Sequence, residues 1–341
     1  MIYQKYVKKF QMFLKKNKTL IIAEIGVNHN GSVATAKKLV KVAKSVGADY
    51  AKFQMYIPDE ITTKYCKKTK YQTKAVGQIS QYEMLSNYYL SFEKIKVLEK
   101  FCKKINIKFA ASVFDEKSLD NLKRLKVDFI KLPSSEISNF FLLKALSKLK
   151  TPVIFSTGMS NAKEISYAYK ILKNNKKITI PMYCVSSYPT NIKEVDLKKM
   201  IQLRDTYKTI GLSDHTCSVE TSIISSFVGV NIIERHLTLD KKLKGPDHSA
   251  SLDPKEFKEF VDSIRNVEIL TSNKKKNNEM KNLNLVRKFL VAKYNIEKGE
   301  IFSMKNITSK RTGGGLPSNI FPKITGKKSK KNFKKDEVIF I

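Results

Sequence analysis

Three of the four histidines of this chain fall within residues 211–252, and two of them share one local pattern. His215 and His236 each follow a short aliphatic stretch that predicts a buried strand, and residues 219–230 between them predict a helix. In a barrel of parallel strands the carboxyl ends converge on one mouth, so the two imidazoles would lie close together. Because neutral imidazoles bind divalent metal ions, the pattern predicts a metal site.

A carboxylate normally completes such a site, and the candidates are Asp247 and Glu24. The remaining positions on the metal would be open to water or substrate. A single histidine is more often a solvated or core side chain than a ligand. Here the repeated position at a strand end favours the metal site.

The elements that would position these residues follow from a regular alternation of aliphatic runs and helical stretches between Thr19 and about residue 272. Strands are predicted at 20–25, 49–54, 108–114, 128–132, 152–156, 178–184, 209–212 and 232–234. Eight strand and helix units in about 250 residues predict an α/β fold of the (β/α)8 TIM-barrel type. A doubly wound open sheet is the alternative, but no GxGxxG turn follows the first strand.

Several segments lie outside this alternation. Residues 1–18 are basic and amphipathic and predict a leading helix or strand, with no signal-peptide pattern. Residues 55–90 have no clear period and predict a lid over the site. The barrel would occupy 1–272, the polar stretch 273–283 would be a linker, and 284–341 would form a small domain that docks on another surface.

Composition narrows the class of protein. The chain has 341 residues and a formal charge of +34, from 65 basic and 31 acidic residues. The lysines are spread over nearly every predicted helix and loop, which favours solvated faces over a polyanion-binding groove, so we expect neither a nucleic-acid nor a membrane partner. The four cysteines have no pairing-like spacing and predict reduced thiols in a cytoplasmic protein.

Polar side chains occupy strand ends where a barrel interior would otherwise be aliphatic. They are Glu24, Lys52, Gln54, Ser112, Lys131, Ser134, Glu136, Ser156, Ser186, Tyr188, Ser213 and the two histidines. Two lysines with several hydroxyls suit a bound phosphate and carboxylate. Schiff-base catalysis by Lys52 is the alternative, but a metal beside the lysine argues against it.

A series of short motifs in fixed order covers residues 19–341. The motifs are AEIGVNHNGS, AKFQ, KLPSSE, FSTGMS, YCVSSYP, IGLSDHT, ERHLTLDK and GPDHSASL, followed by AKYNIEKGEIFSMKNITSKRTGGG. The first eight resemble the N-acetylneuraminate (sialic acid) synthase family, and the last resembles the antifreeze-like SAF domain that ends those enzymes. The resemblance implies a (β/α)8 barrel followed by a SAF domain, in a domain-swapped homodimer.

The resemblance also implies the chemistry. Phosphoenolpyruvate would condense with an N-acetylated mannose-type sugar at a divalent ion held by His215 and His236, with Mn²⁺ expected and Mg²⁺ or Co²⁺ as alternatives. The phosphoenolpyruvate ligands would be Lys52, Gln54, Ser112, Lys131, Ser134, Ser156, Ser186, Tyr188 and Ser213.

The remaining implied roles concern the sugar and water. Glu24 and Glu136 would join the histidines as the catalytic set, with Glu24 handling the water that adds to C2. Glu136, Tyr188 and Asp247 would hold sugar hydroxyls or the water network. Arg311 of the partner subunit would bind the N-acyl end. His29, in the NHNG turn, fits either a site role or a loop-ordering role.

Two positions depart from the family pattern, and the sugar is the open question. Ser135 replaces a glycine in the PSSE segment, and Thr312 replaces the proline of the usual KRPG motif. The GPDHSASL motif resembles the sialic and legionaminic acid synthases more than the pseudaminic acid synthases, and residues 55–90 are expected to select the sugar. The resemblance implies an N-acetylneuraminate synthase acting on N-acetylmannosamine. The alternative is an N,N'-diacetyllegionaminate or other nonulosonate synthase using 2,4-diacetamido-2,4,6-trideoxymannose, and a third hypothesis is an inactive barrel that binds polyanions.

Overall fold

The computed structural model describes Phe10 and residues 18–173, 177–272 and 277–341. The chain divides into two compact units, Met1–Ser272 and Asn273–Ile341. None of the helices in the described ranges combines the length and the hydropathy that crossing a membrane requires.

The first unit is built on a closed barrel of eight parallel strands in sequence order. The strands are β1 Leu20–Gly26, β2 Tyr50–Met55, β3 Lys108–Val113, β4 Ile130–Leu132, β5 Val153–Ser156, β6 Thr179–Cys184, β7 Gly211–Asp214 and β8 Ile232–His236. Strand β8 pairs with β1 so that Glu24 lies opposite His236. This closure confirms the predicted barrel and excludes the open sheet.

Helices follow the strands and cover the outside of the barrel, with extra short helices after β2. They are α1 Val33–Ser45, α2 Pro58–Ile61, α3 Lys70–Val76, α4 Gln81–Tyr88, α5 Phe92–Lys104, α6 Glu116–Lys123, α7 Phe140–Ser147, α8 Ala162–Leu172, α9 Leu197–Tyr207, α10 Glu220–Phe227 and α11 Pro254–Leu270.

Several of these helices begin at a side-chain cap in the loop after a strand. Ser32 accepts a hydrogen bond from Thr35 N, and Asp115 accepts one from Ser118 N. Asn161 and Asp253 form capping boxes at the starts of α8 and α11. Each such cap contributes about 1 kcal/mol to helix stability. Local sequence therefore determines where these helices start.

The side chains inside the barrel change from apolar to polar along the strand direction. Its lower layer is an apolar cluster formed by Phe10, Leu20, Ile22, Tyr50, Ala110, Phe129, Ile154, Ile180, Met182 and Ile232. Side chains alternate between the two faces of a strand, so the inward positions of β8 are Ile232, Glu234 and His236. The same switch from aliphatic to polar occurs from Ile22 to Glu24 in β1. The polar layer therefore lies at the carboxyl ends of the strands.

The structure differs from the sequence-based expectations in three segments. The predicted lid contains α2, α3 and α4, although its sequence has no clear helical period. Strand β8 extends past the predicted end at residue 234 to His236, because the charged residues Glu234 and Arg235 are buried in ion pairs. Of the leading segment 1–18, only Phe10 and Lys18 belong to the described residues.

The second unit has a small core of its own. It contains α12 Asn277–Val286, the antiparallel strands β9 Lys288–Ala292 and β10 Ile307–Arg311, and α13 Phe321–Ile324. Its core is formed by Leu290, Ala292, Ile296, Phe302, Ile307, Ile324, Phe333 and Ile339. Helix α12 occupies residues 277–283 of the stretch predicted as a linker, and 273–276 lie outside the described residues.

Candidate active site

A polar cavity of about 360 Å³ lies at the carboxyl ends of the strands, and every barrel strand contributes to its wall. It is lined by Glu24, Lys52, Gln54, Ser112, Phe114, Lys131, Pro133, Ser134, Ser156, Cys184, Tyr188, Ser213, His215, Glu234 and His236. A larger groove of about 810 Å³ lies between α8 and α9, but Lys199 is the one charged residue in its lining. Of these two, the barrel cavity is the one that gathers several ionisable side chains of both charges.

The floor of the cavity is an ion-pair network centred on Glu234. Its Oε1 lies 3.0 Å from Lys131 Nζ, and its Oε2 lies 3.5 Å from Lys52 Nζ. Lys52 Nζ also lies 2.6 Å from Glu24 Oε2 and donates to Ser112 Oγ at 2.6 Å. Four charged side chains from β1, β2, β4 and β8 are thus held together out of water.

This network determines the charge of each member. Burial alone would raise the pKa of Glu234, but the ammonium groups of Lys131 and Lys52 outweigh burial and hold that pKa to about 2. Burial lowers the pKa of Lys131, an effect that Glu234 only partly offsets. For Lys52 burial is outweighed by Glu234 and Glu24, which raise its pKa. Glu234 is therefore an anion and Lys52 a cation at neutral pH.

Serine hydroxyls surround the two ammonium groups. Ser213 Oγ accepts from Lys131 Nζ at 3.2 Å and lies 2.8 Å from Ser156 Oγ. Ser134 Oγ and Ser186 Oγ lie 2.9 Å apart at the rim. A Cβ at Gly158, where φ is +45°, would lie 2.4 Å from Ser186 Oγ, so a glycine is needed to bring these hydroxyls together. The result is a pocket of lysine ammonium groups and serine hydroxyl donors, which suits an anion.

Glu24 has the second carboxylate in the cavity. Its Oε1 accepts from Gln54 Nε2 at 3.1 Å. Burial raises the pKa of Glu24 despite the opposing charge of Lys52. A carboxyl group with a raised pKa between a lysine and the histidine strand is suited to accept or donate a proton.

His215 and His236, at the ends of β7 and β8, form the wall next to Glu24, with ring centroids 5.5 Å apart. His215 Nδ1 lies 2.8 Å from the carbonyl oxygen of Val185, and because that oxygen can only accept, the ring presents the lone pair of Nε2. His236 Nδ1 is buried and, within the described residues, makes no hydrogen bond. Burial lowers the pKa of both imidazoles, which keeps them neutral as metal ligation requires.

These two imidazoles are the side chains that could hold a divalent ion. In the part of the chain that the structure describes, no group of three or more His, Cys, Asp or Glu side chains has metal-binding spacing. The third ligand expected from sequence, Asp247 or Glu24, stays a prediction, and Asp247 Oδ2 lies 3.5 Å from His236 Nδ1. An ion bound here would keep several positions for water and substrate.

Two tyrosine rings pack beside the histidines. The Tyr188 ring lies 4.2 Å from the His215 ring and 5.9 Å from the His236 ring, measured between centroids. Tyr71, from α3 of the lid, stacks on Tyr188 with centroids 5.3 Å apart. The predicted lid segment therefore contributes an aromatic ring directly above a residue of the cavity wall.

Four of the predicted site residues do not line the cavity. Ser186 and Asp247 contact its lining, since Ser186 bonds Ser134 and Asp247 Oδ2 lies 3.5 Å from His236 Nδ1. The Glu136 carboxylate instead accepts from Ser135 Oγ at 3.0 Å and from Asn139 Nδ2 at 2.8 Å.

Arg311 belongs to the second unit. It is exposed at the end of β10, opposite Lys288. Beside it, Thr312 Oγ1 donates to the Gly314 carbonyl at 2.6 Å, so the residue at the usual proline position makes a local turn contact.

Sequence reasoning missed Glu234 and Tyr71. Glu234 could have been found because it is two residues before His236 in a strand and must point to the same face. No comparable signal marked Tyr71, since α3 has no buried residue and so no apolar period.

A closed parallel barrel whose ionisable groups gather at the carboxyl ends of the strands defines the class of (β/α)8 enzymes. A family model described as NeuB family matches residues 39–276, and one described as SAF domain matches residues 287–340. The chain therefore belongs to the NeuB family and ends in a SAF domain.

Individual relatives agree with this assignment. The chain is 42% identical over 331 residues to the N,N'-diacetyllegionaminic acid synthase of Campylobacter jejuni subsp. jejuni serotype O:2, covering 94% of this chain and 99% of that one. It is 33% identical over 329 residues to the N-acetylneuraminate-9-phosphate synthase of Homo sapiens, covering 94% and 90%. The crystal structure of the N-acetylneuraminic acid (sialic acid) synthetase of Leptospira borgpetersenii serovar Hardjo-bovis in complex with citrate aligns with a TM-score of 0.67 at 30% identity, covering 79% and 93%.

Proposed function

We propose that this protein is a nonulosonate synthase that condenses phosphoenolpyruvate with an N-acetylated mannose-type sugar and releases phosphate. The observation that carries the proposal is the pairing, in one cavity, of the buried Lys52 and Lys131 with the neutral imidazoles of His215 and His236. The named functions of the relatives support the same class.

The cationic end of the cavity, at Lys131 and Lys52, suits phosphoenolpyruvate. Lys131 and Lys52 supply two ammonium groups, and Ser134, Ser156 and Ser213 supply hydroxyl donors around them. Phosphate and carboxylate both bind well to such charge-assisted donors. With its phosphate and carboxylate held by these groups, phosphoenolpyruvate would place its reactive C3 towards His215 and His236.

The aldehyde end would require a metal. His215 and His236 would hold a divalent ion, with Mn²⁺ the expected one, which when bound supplies Lewis-acid polarisation of the sugar's aldehyde oxygen. Tyr188 packs against both rings and would fix their orientation and exclude water from them.

The bond changes are those that the resemblance to the sialic acid synthase family implies. C3 of phosphoenolpyruvate attacks the aldehyde carbon and forms the new C–C bond, while the aldehyde oxygen takes up a proton and becomes a hydroxyl, which leaves positive charge at C2. Water adds to C2 and loses a proton, and phosphate then departs with cleavage of its bond to C2 as the C2 hydroxyl becomes the ketone. Glu24, with its raised pKa and its contact to Gln54, would take the proton from that water.

For the product we propose N,N'-diacetyllegionaminate, formed from 2,4-diacetamido-2,4,6-trideoxymannose. The support is the 42% identity, over nearly the whole of both chains, to a relative named for that activity. N-acetylneuraminate from N-acetylmannosamine, the product expected from sequence, is the second candidate. The human relative at 33% identity and the Leptospira structure at 30% identity support it.

We further propose a homodimer in which Arg311 of the partner subunit reaches the N-acyl end of the sugar. Arg311 is exposed at the end of a strand, where a guanidinium can meet a ligand. This arrangement would make each active site depend on two chains.

The test is phosphate release from phosphoenolpyruvate, with each of the two sugars, in Mn²⁺ and in EDTA. We expect release that needs both Mn²⁺ and the diacetamido sugar, and at least about a hundredfold loss in His236→Ala. Undiminished release in EDTA would contradict the metal role. Release with N-acetylmannosamine alone would favour the second candidate.

Two further measurements exclude the other classes. Borohydride trapping in the presence of pyruvate would label Lys52 if the chemistry used a Schiff base, and we expect no label. Salt-dependent retention on DNA without any phosphate release would instead favour the polyanion-binding barrel.

A further inference from the structure

Two loops at the cavity mouth are joined by buried side-chain hydrogen bonds. One is the NHNG turn after β1, residues 28–31, and the other is the β8–α11 loop, residues 237–253. Asp247, whose carboxylate lies 3.5 Å from His236 Nδ1, belongs to the second loop. The contacts between these loops account for two motifs that the proposed chemistry does not use.

The first connection starts at Asn28. Its Nδ2 donates to the Leu237 carbonyl at 3.0 Å and to Ser251 Oγ at 2.8 Å. Ser251 Oγ in turn donates to the carbonyl oxygen of Asp247 at 2.6 Å. One amide group therefore fixes both ends of the β8–α11 loop and, through a hydroxyl, the backbone of Asp247 itself.

The second connection starts at His248. Its Nδ1 lies 2.7 Å from Thr238 Oγ1, and its Nε2 donates to Asn30 Oδ1 at 3.2 Å. Asn30 Nδ2 donates to the Lys244 carbonyl at 3.1 Å. A Cβ at Gly245 would lie 2.6 Å from His248 Cδ2, so the loop backbone packs directly on the imidazole. These contacts hold the part of the β8–α11 loop that precedes Asp247, together with His248 directly after it.

Burial makes these bonds strong determinants of the loop position. Asn28 is 1% exposed, Ser251 is 1% exposed and His248 is 0% exposed. A buried polar group that loses its partner is not compensated by water, so opening the loop would leave several groups unsatisfied. The loop is therefore held in one position relative to the NHNG turn.

We infer that Asn28, Ser251 and His248 are positioning residues, which clasp the β8–α11 loop to the NHNG turn and thereby hold the Asp247 carboxylate at the sugar end of the cavity beside His236. The inference rests on the proposed function for the statement that this end receives the sugar. The clasp itself is a structural claim that can be tested without turnover.

The structural arm measures amide hydrogen exchange in Ser251→Ala and Asn28→Ala. Thr238 N and Leu252 N are bonded to Leu252 O and His236 O, at 2.9 Å each, and report whether the loop is closed. We expect exchange in 237–252 to become about tenfold faster in each variant, with the outer helices unchanged. Ser251→Ala is the milder change because it removes a single hydroxyl. It therefore serves as the test if Asn28→Ala fails to fold.

The matched control is Asn161→Ala. Asn161 lies in another loop at the same end of the barrel, but among the described residues its side chain bonds only the backbone of Lys163 and Glu164 in its own segment. We expect this variant to leave exchange in 237–252 unchanged.

The kinetic arm separates the two substrates. In Ser251→Ala we expect KM for the diacetamido sugar to rise about tenfold, while KM for phosphoenolpyruvate stays within about twofold. His248→Ala should behave in the same way, and His248→Gln, whose amide can still donate to Asn30, should recover part of the loss.

Failures of the two ideas are distinguishable. If wild-type protein turns over neither sugar, the proposed function fails while the exchange arm still decides the clasp. Unchanged exchange in 237–252 in both Ser251→Ala and Asn28→Ala overturns the clasp. Equal increases of both KM values would overturn the assignment of Asp247 to the sugar end.

Discussion

The carboxylate of Glu234 lies between the ammonium groups of Lys131 and Lys52, with Oε1 3.0 Å from the first and Oε2 3.5 Å from the second. Glu234 is also two residues before His236 on the same face of β8. One strand therefore joins the cationic end of the cavity to the imidazole end. The anion that binds here must share the two lysines with a resident carboxylate.

Glu234→Gln tests this network. Removing one partner of a buried ion pair leaves the remaining charges uncompensated, and we expect the free energy of unfolding to fall by about 3 kcal/mol, measured by urea denaturation. The control is the double variant Lys131→Met/Glu234→Gln, which should lose less than the sum of the two single variants. Strict additivity would mean that the two groups do not interact.

Tyr71→Ala tests the lid. The Tyr71 ring stacks on Tyr188 above the histidines, so its loss should open the sugar end of the cavity. Aromatic pairs contribute about 1 kcal/mol, and we expect KM for the sugar to rise five- to tenfold, with about the same KM for phosphoenolpyruvate. Tyr71→Phe should retain the wild-type value. Tyr65→Ala is the matched control in the same lid, because Tyr65 is 94% exposed, and an equal effect there would contradict the stacking role.

Hybrid dimers test the proposed role of Arg311 across subunits. His236→Ala and Arg311→Ala should each be nearly inactive alone. If the arginine acts across the dimer, mixed subunits form one intact site in each hybrid, and about a quarter of wild-type activity should return after refolding an equal mixture. An arginine acting within its own chain would give no recovery, because neither chain would have a complete site.

Because His29 is buried, we expect the free energy of unfolding to fall in acid. Burial lowers the pKa of His29 to about 4. In the unfolded chain the imidazole takes up its proton near pH 6.5, so its contribution is complete above that pH and is lost as the pH falls towards 4. The loss amounts to about 3 kcal/mol over this window.

His29→Asn isolates that contribution. Asn can replace the acceptor that His29 Nδ1 offers to Gly31 N at 3.0 Å, and it does not titrate. Unfolding free energies at pH 7 and pH 4.5 should therefore differ less in the variant than in wild type. His248 also has a pKa lowered to about 4 but is present in both proteins, so it cancels. Parallel pH curves would show that His29 does not titrate in this way.

The barrel and much of its site could be predicted from local sequence patterns. Strand and helix stretches alternate along the chain, and inward and outward residues alternate along each strand. Lys52, Ser112, Lys131, Ser156 and Ser213 all occupy inward positions near a strand end, where two-residue periodicity identifies them. The lid helices could not be predicted in the same way. Helix α3 has no buried residue and α4 buries only Met84, so neither has an apolar stripe to recognise.

Two further features show where local reasoning stops. Glu136 lies in a predicted site motif, yet its carboxylate is bound by its neighbours Ser135 and Asn139. Glu234 lies at the end of an aliphatic run, where the sequence pattern predicts no site residue, yet it is at the centre of the ion-pair network. A motif places a residue on an element, but it does not determine what the side chain contacts.

The sequence by itself determined the order of the barrel strands and of the helices outside the lid, the polar layer at the strand ends, and the family, since these depend on residues close together in the chain. The tertiary structure alone decided that Glu234 of β8 meets Lys131 of β4 and Lys52 of β2, and that Asn28 binds Ser251. The physical reason is barrel closure. Pairing β8 with β1 brings distant segments into one water-excluded space, where the geometry of the whole sheet selects the charge partners.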